Sequence, residues 1–102
     1  MGLFTALFGK STNKIEEYIE KGAVILDVRT LSEYKGNHIK NAIHIPLQEL
    51  NSRLNEIKNL NKPVIAHCAS GMRSANATSF LKSNGVDAIN GGGIASLQRK
   101  LG

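Results

Sequence analysis

Two hydrophobic periods alternate along this chain and lay out its elements. Residues 23–28 (AVILDV) and 64–66 (VIA) are short, largely apolar runs, the form taken by strands buried on both faces of a parallel sheet. Around them, apolar positions recur at helical spacing. Ile15, Tyr18 and Ile19 share one face of a helix that Asn13 would cap, with Glu16 at its N3 position, and that Gly22 would close. Thr30 and Glu33 repeat the capping-box spacing for a short helix ending near Gly36. A brief strand over 42–45 is stopped by Pro46, and Leu47, Leu50, Leu54 and Ile57 mark an amphipathic helix. After a loop over 61–63 and the 64–66 strand, a helix runs from 74 to 83 and stops at Asn84-Gly85. The pattern ends with a strand over 86–90, a turn at Gly91-Gly92-Gly93 and a helix over 94–101. Strands alternating with helices predict an α/β domain, a central parallel sheet of about four to five strands with helices on both faces.

The 102 residues make one domain, 1–102, with an apolar N-terminal segment over 1–11 and a core over 12–101. Leu3, Phe4, Leu7 and Phe8 of that segment can share one face of a short helix, expected to dock on its own domain. The segment lacks a basic n-region and a cleavage site, and Ala6 breaks the myristoylation pattern. No apolar run approaches the length of a membrane span. The expectation is a cytoplasmic monomer.

Candidate chemistry gathers at PVIAHCASGMR, residues 63–73. Cys68 falls at the carboxyl end of a strand, where ligands of open α/β sheets bind, and the next helix begins just beyond. Backbone N–H groups of Ala69, Ser70, Gly71, Met72 and Arg73 would converge there and favour negative charge. That field, with Arg73 nearby, should hold Cys68 as a thiolate. A buried packing cysteine is the bland alternative, but packing needs neither a small-residue loop nor an arginine. His67 should point to the opposite sheet face and serve packing.

Charge and cysteine count narrow this further. A single Cys excludes an intramolecular disulfide, and the three His and one Cys lack metal-ligand spacing, so no metal and no cofactor is expected. The net charge of +5 comes from scattered lysines interleaved with carboxylates, without a basic, aromatic-laced stripe. A surface that mildly attracts small anions fits this better than nucleic-acid binding.

Four patches in order resemble a single-domain rhodanese: LDVRTLSEYKGNHIKNAIHIP, the strand into CASGMRS, SANATSFLKSNG, and GGGIASL. The resemblance covers nearly everything after the first ten or so residues. Leu97 stands where the family often has Trp, and His44 where it often has Asn. The resemblance implies the rhodanese-like three-layer fold and sulfurtransferase activity. Cys68 would take sulfane sulfur from thiosulfate, a persulfide or a polysulfide, forming a persulfide, and pass it to a thiol, cyanide or a protein sulfur acceptor. Ala69 to Arg73 would bind the anionic donor, and Arg73 would help close the loop. Asp27, Arg29 and Glu33 have two readings, as residues at the pocket mouth or as a structural ion-pair and capping cluster; the structural one is preferred. His38 and His44 are read as fixing loops by hydrogen bonds.

Two other classes share the cradle. A persulfide carrier or interaction module would perform only the first half-reaction. A phosphatase or arsenate reductase of the related fold uses five residues between its cysteine and arginine, against four between Cys68 and Arg73 here. The smaller ring suits one added sulfur atom.

Overall fold

The computed structural model describes residues 14–102, so the apolar segment and the Asn13 cap lie outside the described residues. Helix α1, Lys14–Glu20, ends where Gly22 turns left-handed (φ +87°) and feeds strand β1, Val24–Asp27. Helix α2, Leu31–Gly36, opens on the expected capping box: the Glu33 amide donates to Thr30 Oγ1 (3.2 Å) and the Thr30 amide to Glu33 Oε1 (2.9 Å). Strand β2 is only Ile43–His44. Strand β3, Val64–Cys68, precedes the long helix α4, Met72–Ser83, and strand β4, Ala88–Gly93, leads into helix α5, Ile94–Leu101.

The four strands are parallel in the order β2-β1-β3-β4. Every residue of the inner strand β3 is buried, as its unbroken apolar run requires. Its side chains alternate between two cores. Val64, Ala66 and Cys68 pack with Leu26, Ile57, Ala77 and Leu81 on one face. Ile65 packs with Ile15, Tyr18 and Leu97 on the other, so α1 and α5 cover the face opposite α4.

Two expectations need correction. The helix expected over Leu47 to Ile57 is interrupted: a 3-10 turn, Leu47–Glu49, is followed by helix α3, Leu54–Lys58. Ser52 donates its hydroxyl to the Glu49 carbonyl (3.0 Å), the local competition that polar residues offer a continuing helix. Leu50 and Ile57 are buried all the same, so the apolar pattern survives the break. Gly91-Gly92-Gly93 is also not a turn but the end of β4. Register against β3 slips between Ala66 and His67, since Ala66 faces Asn90 while His67 faces Gly92 and Cys68 faces Gly93. Gly91 is the extra residue of a bulge, and Gly92 takes φ +85°. A Cβ on Gly93 would lie 2.5 Å from the Ala69 carbonyl oxygen, so only glycine lets β4 run this close to the Cys68 loop.

Candidate active site

Helix α4 begins two residues earlier than its apolar pattern suggests. Gly71 is its N-cap, at φ +106°, and offers no side chain to the free amides of the first turn. The Cys68 sulfur takes that place. Gly71 N–H donates to Sγ at 3.0 Å and Ser74 N–H at 3.4 Å, with Ser74 Oγ also 3.4 Å away. The sulfur thus acts as capping acceptor at the positive end of a 12-residue helix. Burial raises the thiol pKa, but the Ser74 hydroxyl and the amides of Ser74, Gly71 and Ser70 outweigh it and bring it down to about 7. A thiol so placed ionises near neutral pH, well below its ordinary range.

A second tier holds this cradle against β4. Asn90 Nδ2 donates to the Gly71 carbonyl (3.0 Å), while its Oδ1 accepts from Gly92 N–H (2.9 Å) and from the Ser74 hydroxyl (2.6 Å). The Ser74 hydroxyl has one hydrogen and two acceptors in reach, Asn90 Oδ1 and Cys68 Sγ.

The Arg73 guanidinium grips Glu33 in a two-pronged pair, Nη1 to Oε1 at 2.7 Å and Nη2 to Oε2 at 2.9 Å. With the Thr30 cap, this pair pulls the Glu33 carboxyl down to about 2. Arg73 fastens the loop to α2 and remains close enough to Cys68 for mutual charge attraction, while the Ser74 hydroxyl and the backbone amides do most to acidify the thiol.

Asp27 and Arg29 form a buried ion pair beside the site. Arg29 donates to Asp27 through Nε (3.0 Å to Oδ1), Nη2 (2.8 Å to Oδ2) and its own amide (3.0 Å to Oδ1), and Nη2 also reaches the Asn37 carbonyl at 2.6 Å. Burial pushes the Asp27 pKa up, but the Arg29 hydrogen bonds prevail and hold it below the usual carboxylate range. His67 does lie on the face opposite Cys68. It is buried, with Nε2 3.7 Å from Asp27 Oδ2 and Nδ1 3.4 Å from the Cys68 carbonyl, and burial keeps it towards the neutral form. His38 and His44 fix loops as expected, through the carbonyls of Tyr34 (2.9 Å) and Arg29 (2.8 Å), with Tyr34 stacked between their rings.

A Cys-loop-Arg cradle at the end of the inner strand of a β2-β1-β3-β4 parallel sheet is a specific arrangement. The family model of the rhodanese-like domain matches residues 11–99. The chain belongs to the rhodanese-like domain family. This rhodanese-like domain is 27% identical over 73 residues to the thiosulfate sulfurtransferase GlpE of Haemophilus influenzae, covering 72% of this chain and 69% of that protein. The human single-domain sulfurtransferase TSTD1 shares its fold with a TM-score of 0.67 at 26% identity, over 85% of this chain and 90% of that one. YqhL of Bacillus subtilis is 42% identical over 67 residues, 66% of this chain. The domain spans 52% of the length of YqhL and 35% of a second relative from that bacterium.

Within this rhodanese-like domain, the sequence reading missed Ser74 and Asn90. Ser74 sits just past the loop arginine and reads as an ordinary helix position. Asn90 is 16 residues further on, and only the bulged end of β4 brings it to the hydroxyl. A Ser74→Ala variant should raise the Cys68 pKa by about one unit, the worth of one charge-assisted hydrogen bond. Alkylation rate against pH checks this, and an unmoved titration would assign the activation to the amides alone.

Proposed function

We propose that the domain transfers sulfane sulfur through a persulfide on Cys68. The observation that carries this reading is the sulfur itself, capped by the Gly71 and Ser74 amides where most helices use an oxygen. A thiolate so held is nucleophilic near neutral pH, and the same donors suit the terminal sulfur of a persulfide anion. In the first half-reaction the Cys68 thiolate attacks the outer sulfur of the donor. The Cys68 S–S bond forms, the donor's S–S bond breaks, and the electron pair departs with sulfite or a thiolate. In the second, an acceptor nucleophile takes the outer sulfur and the Cys68 thiolate leaves. Both leaving groups are stable anions near neutral pH, so no general acid is required. The sulfurtransferases among the relatives support the same class of reaction.

Intact mass after incubation with thiosulfate or a low-molecular-weight persulfide tests the first half-reaction. Thiocyanate release on adding cyanide tests the second, and separates a turning-over enzyme from a carrier that loads once and waits for its partner. The thiolate predominates above the Cys68 pKa of about 7, so loading should rise about tenfold between pH 6 and pH 8 and then level off. A flat profile across that range would remove Cys68 ionisation from the rate-limiting step.

A further inference from the structure

Asn90 reaches the cradle from the bulged end of β4, and its amide has one orientation. The Gly71 carbonyl can only accept and the Gly92 N–H can only donate, so Nδ2 faces the first at 3.0 Å and Oδ1 the second at 2.9 Å. Oδ1 therefore also faces Ser74 Oγ, at 2.6 Å. An amide oxygen has no hydrogen to give, so this short contact takes the one hydrogen of the hydroxyl. Ser74 is fully buried, and its Oγ has Cys68 Sγ as a second neighbour at 3.4 Å. With the hydrogen on Asn90, Oγ turns only lone pairs to the sulfur. That arrangement accepts an S–H group and opposes a thiolate.

We propose that Asn90 is a positioning residue that competes with Cys68 for the Ser74 hydrogen, and so sets how readily the sulfur becomes a nucleophile. This role rests on the reading of Cys68 as the nucleophile and not on the identity of the donor. While Cys68 is a thiol, the hydroxyl donates to Asn90 Oδ1 and accepts from S–H. On ionisation the thiol proton passes to solvent, and the hydroxyl rotates to donate to Sγ, keeping its own O–H bond. The thiolate gains a charge-assisted hydrogen bond, while Asn90 Oδ1 keeps the Gly92 N–H. Once Sγ is bonded to a transferred sulfur its charge is gone, and the hydrogen returns to Asn90. The reverse swing then assists departure of the Cys68 thiolate when the acceptor attacks.

The charged and titratable groups around the sulfur have other partners. Arg73 of α4 is held by Glu33 of α2, and Arg29 by Asp27 of β1, with His67 of β3 beside Asp27. Strand β4 carries no charged side chain. Among the described residues, none of these groups hydrogen-bonds to Ser74 or Asn90, so the hydroxyl chooses between an amide oxygen and the sulfur. A fastening role and a competing role for Asn90 predict opposite results. If Asn90 only fastened Gly71 and Gly92, losing its amide would loosen the donors to Sγ and raise the Cys68 pKa. Competition predicts a fall.

The test measures iodoacetamide alkylation rate against pH in the wild type, Asn90→Leu, Ser74→Ala and the double variant, with circular dichroism to verify folding. Asn90→Leu keeps the bulk at this exposed position and removes the acceptor. It should lower the Cys68 pKa by about half a unit, the share of one released hydrogen bond, and speed alkylation at pH 6 about threefold. In the Ser74→Ala background the same change should not lower the pKa. Asn90→Asp keeps the shape and strengthens the acceptor, so it should raise the pKa, and by more with Ser74 present than in Ser74→Ala. A pKa raised or unmoved by Asn90→Leu would overturn the competition and leave Asn90 as a loop fastener. So would a fall of equal size without Ser74. Should Asn90→Leu misfold, Asn90→Asp decides alone, and an equal rise with and without Ser74 would overturn the competition. Alkylation needs no sulfur donor, so these outcomes are distinct from a failure of sulfur transfer, which would show as loading by no donor.

Discussion

Cys68→Ser is expected to abolish sulfur loading and thiocyanate release, a fall of at least about 10³-fold. The oxygen that replaces Sγ is a far weaker nucleophile at neutral pH, and the cradle's few hydrogen bonds cannot lower a hydroxyl pKa into range. An oxygen also cannot store sulfane sulfur, because its product would lack the S–S bond that the acceptor attacks. The substitution is nearly isosteric. It leaves an acceptor for the Gly71 and Ser74 amides, so the start of α4 stays capped and the fold is expected to persist. Circular dichroism verifies folding, and cyanolysis with intact mass reads activity. Thiocyanate formed at the wild-type rate by the folded variant would remove Cys68 from the reaction. With only one cysteine in the chain, no second thiol can mask the result.

The largest expected effect on stability is at Arg29. Arg29→Ala removes the guanidinium from Asp27, whose carboxylate is fully buried, leaving it one amide donor and a His67 nitrogen 3.7 Å away. Breaking one side of a buried pair costs about 3–5 kcal/mol, a large share of the stability of a domain this size. A melting temperature lower by about 12 °C or more is expected. The pH dependence identifies the cause. In the wild type the Asp27 pKa is lowered, so the pair stabilises the fold above the ordinary carboxylate value, and that contribution is lost as pH falls through the lowered pKa. In the variant, burial acts without the guanidinium and raises the pKa. The penalty is then complete at neutral pH and vanishes below about pH 4, where the carboxyl is protonated in folded and unfolded chains alike. The stability gap should therefore narrow steadily from pH 7 towards pH 4. A gap independent of pH would point to lost packing of the Arg29 stem in place of an orphaned charge.

These two residues also show how far the primary structure reaches. The unbroken apolar runs at β1 and β3, the Thr30–Glu33 cap and the alternation of strand and helix were legible because each is local, resting on side-chain period and on hydrogen bonds between residues three or four apart. So was the Cys68 cradle, since strand, loop and helix N-terminus are contiguous in the chain. The Asp27–Arg29 pair was legible as a structural option for the same reason, with two residues of separation. Where polar residues competed for the backbone, as at Ser52, apolar spacing still marked the buried positions but not the continuity of the helix.

What the linear pattern left open involves partners distant along the chain. The commitment of Arg73 to Glu33 spans 40 residues, the Ser74–Asn90 contact spans 16, and the reading of Gly91-Gly92-Gly93 as a bulged strand depends on register against β3. No periodicity encodes such pairings, because they follow from the order and registration of parallel strands, which bring the carboxyl ends of β1, β3 and β4 to one edge. Chain-local chemistry therefore marked Cys68 as the candidate nucleophile. Long-range packing brought Asn90 to Ser74 and paired Arg73 with Glu33, because a guanidinium at a sheet end binds the opposite charge that the fold brings nearest.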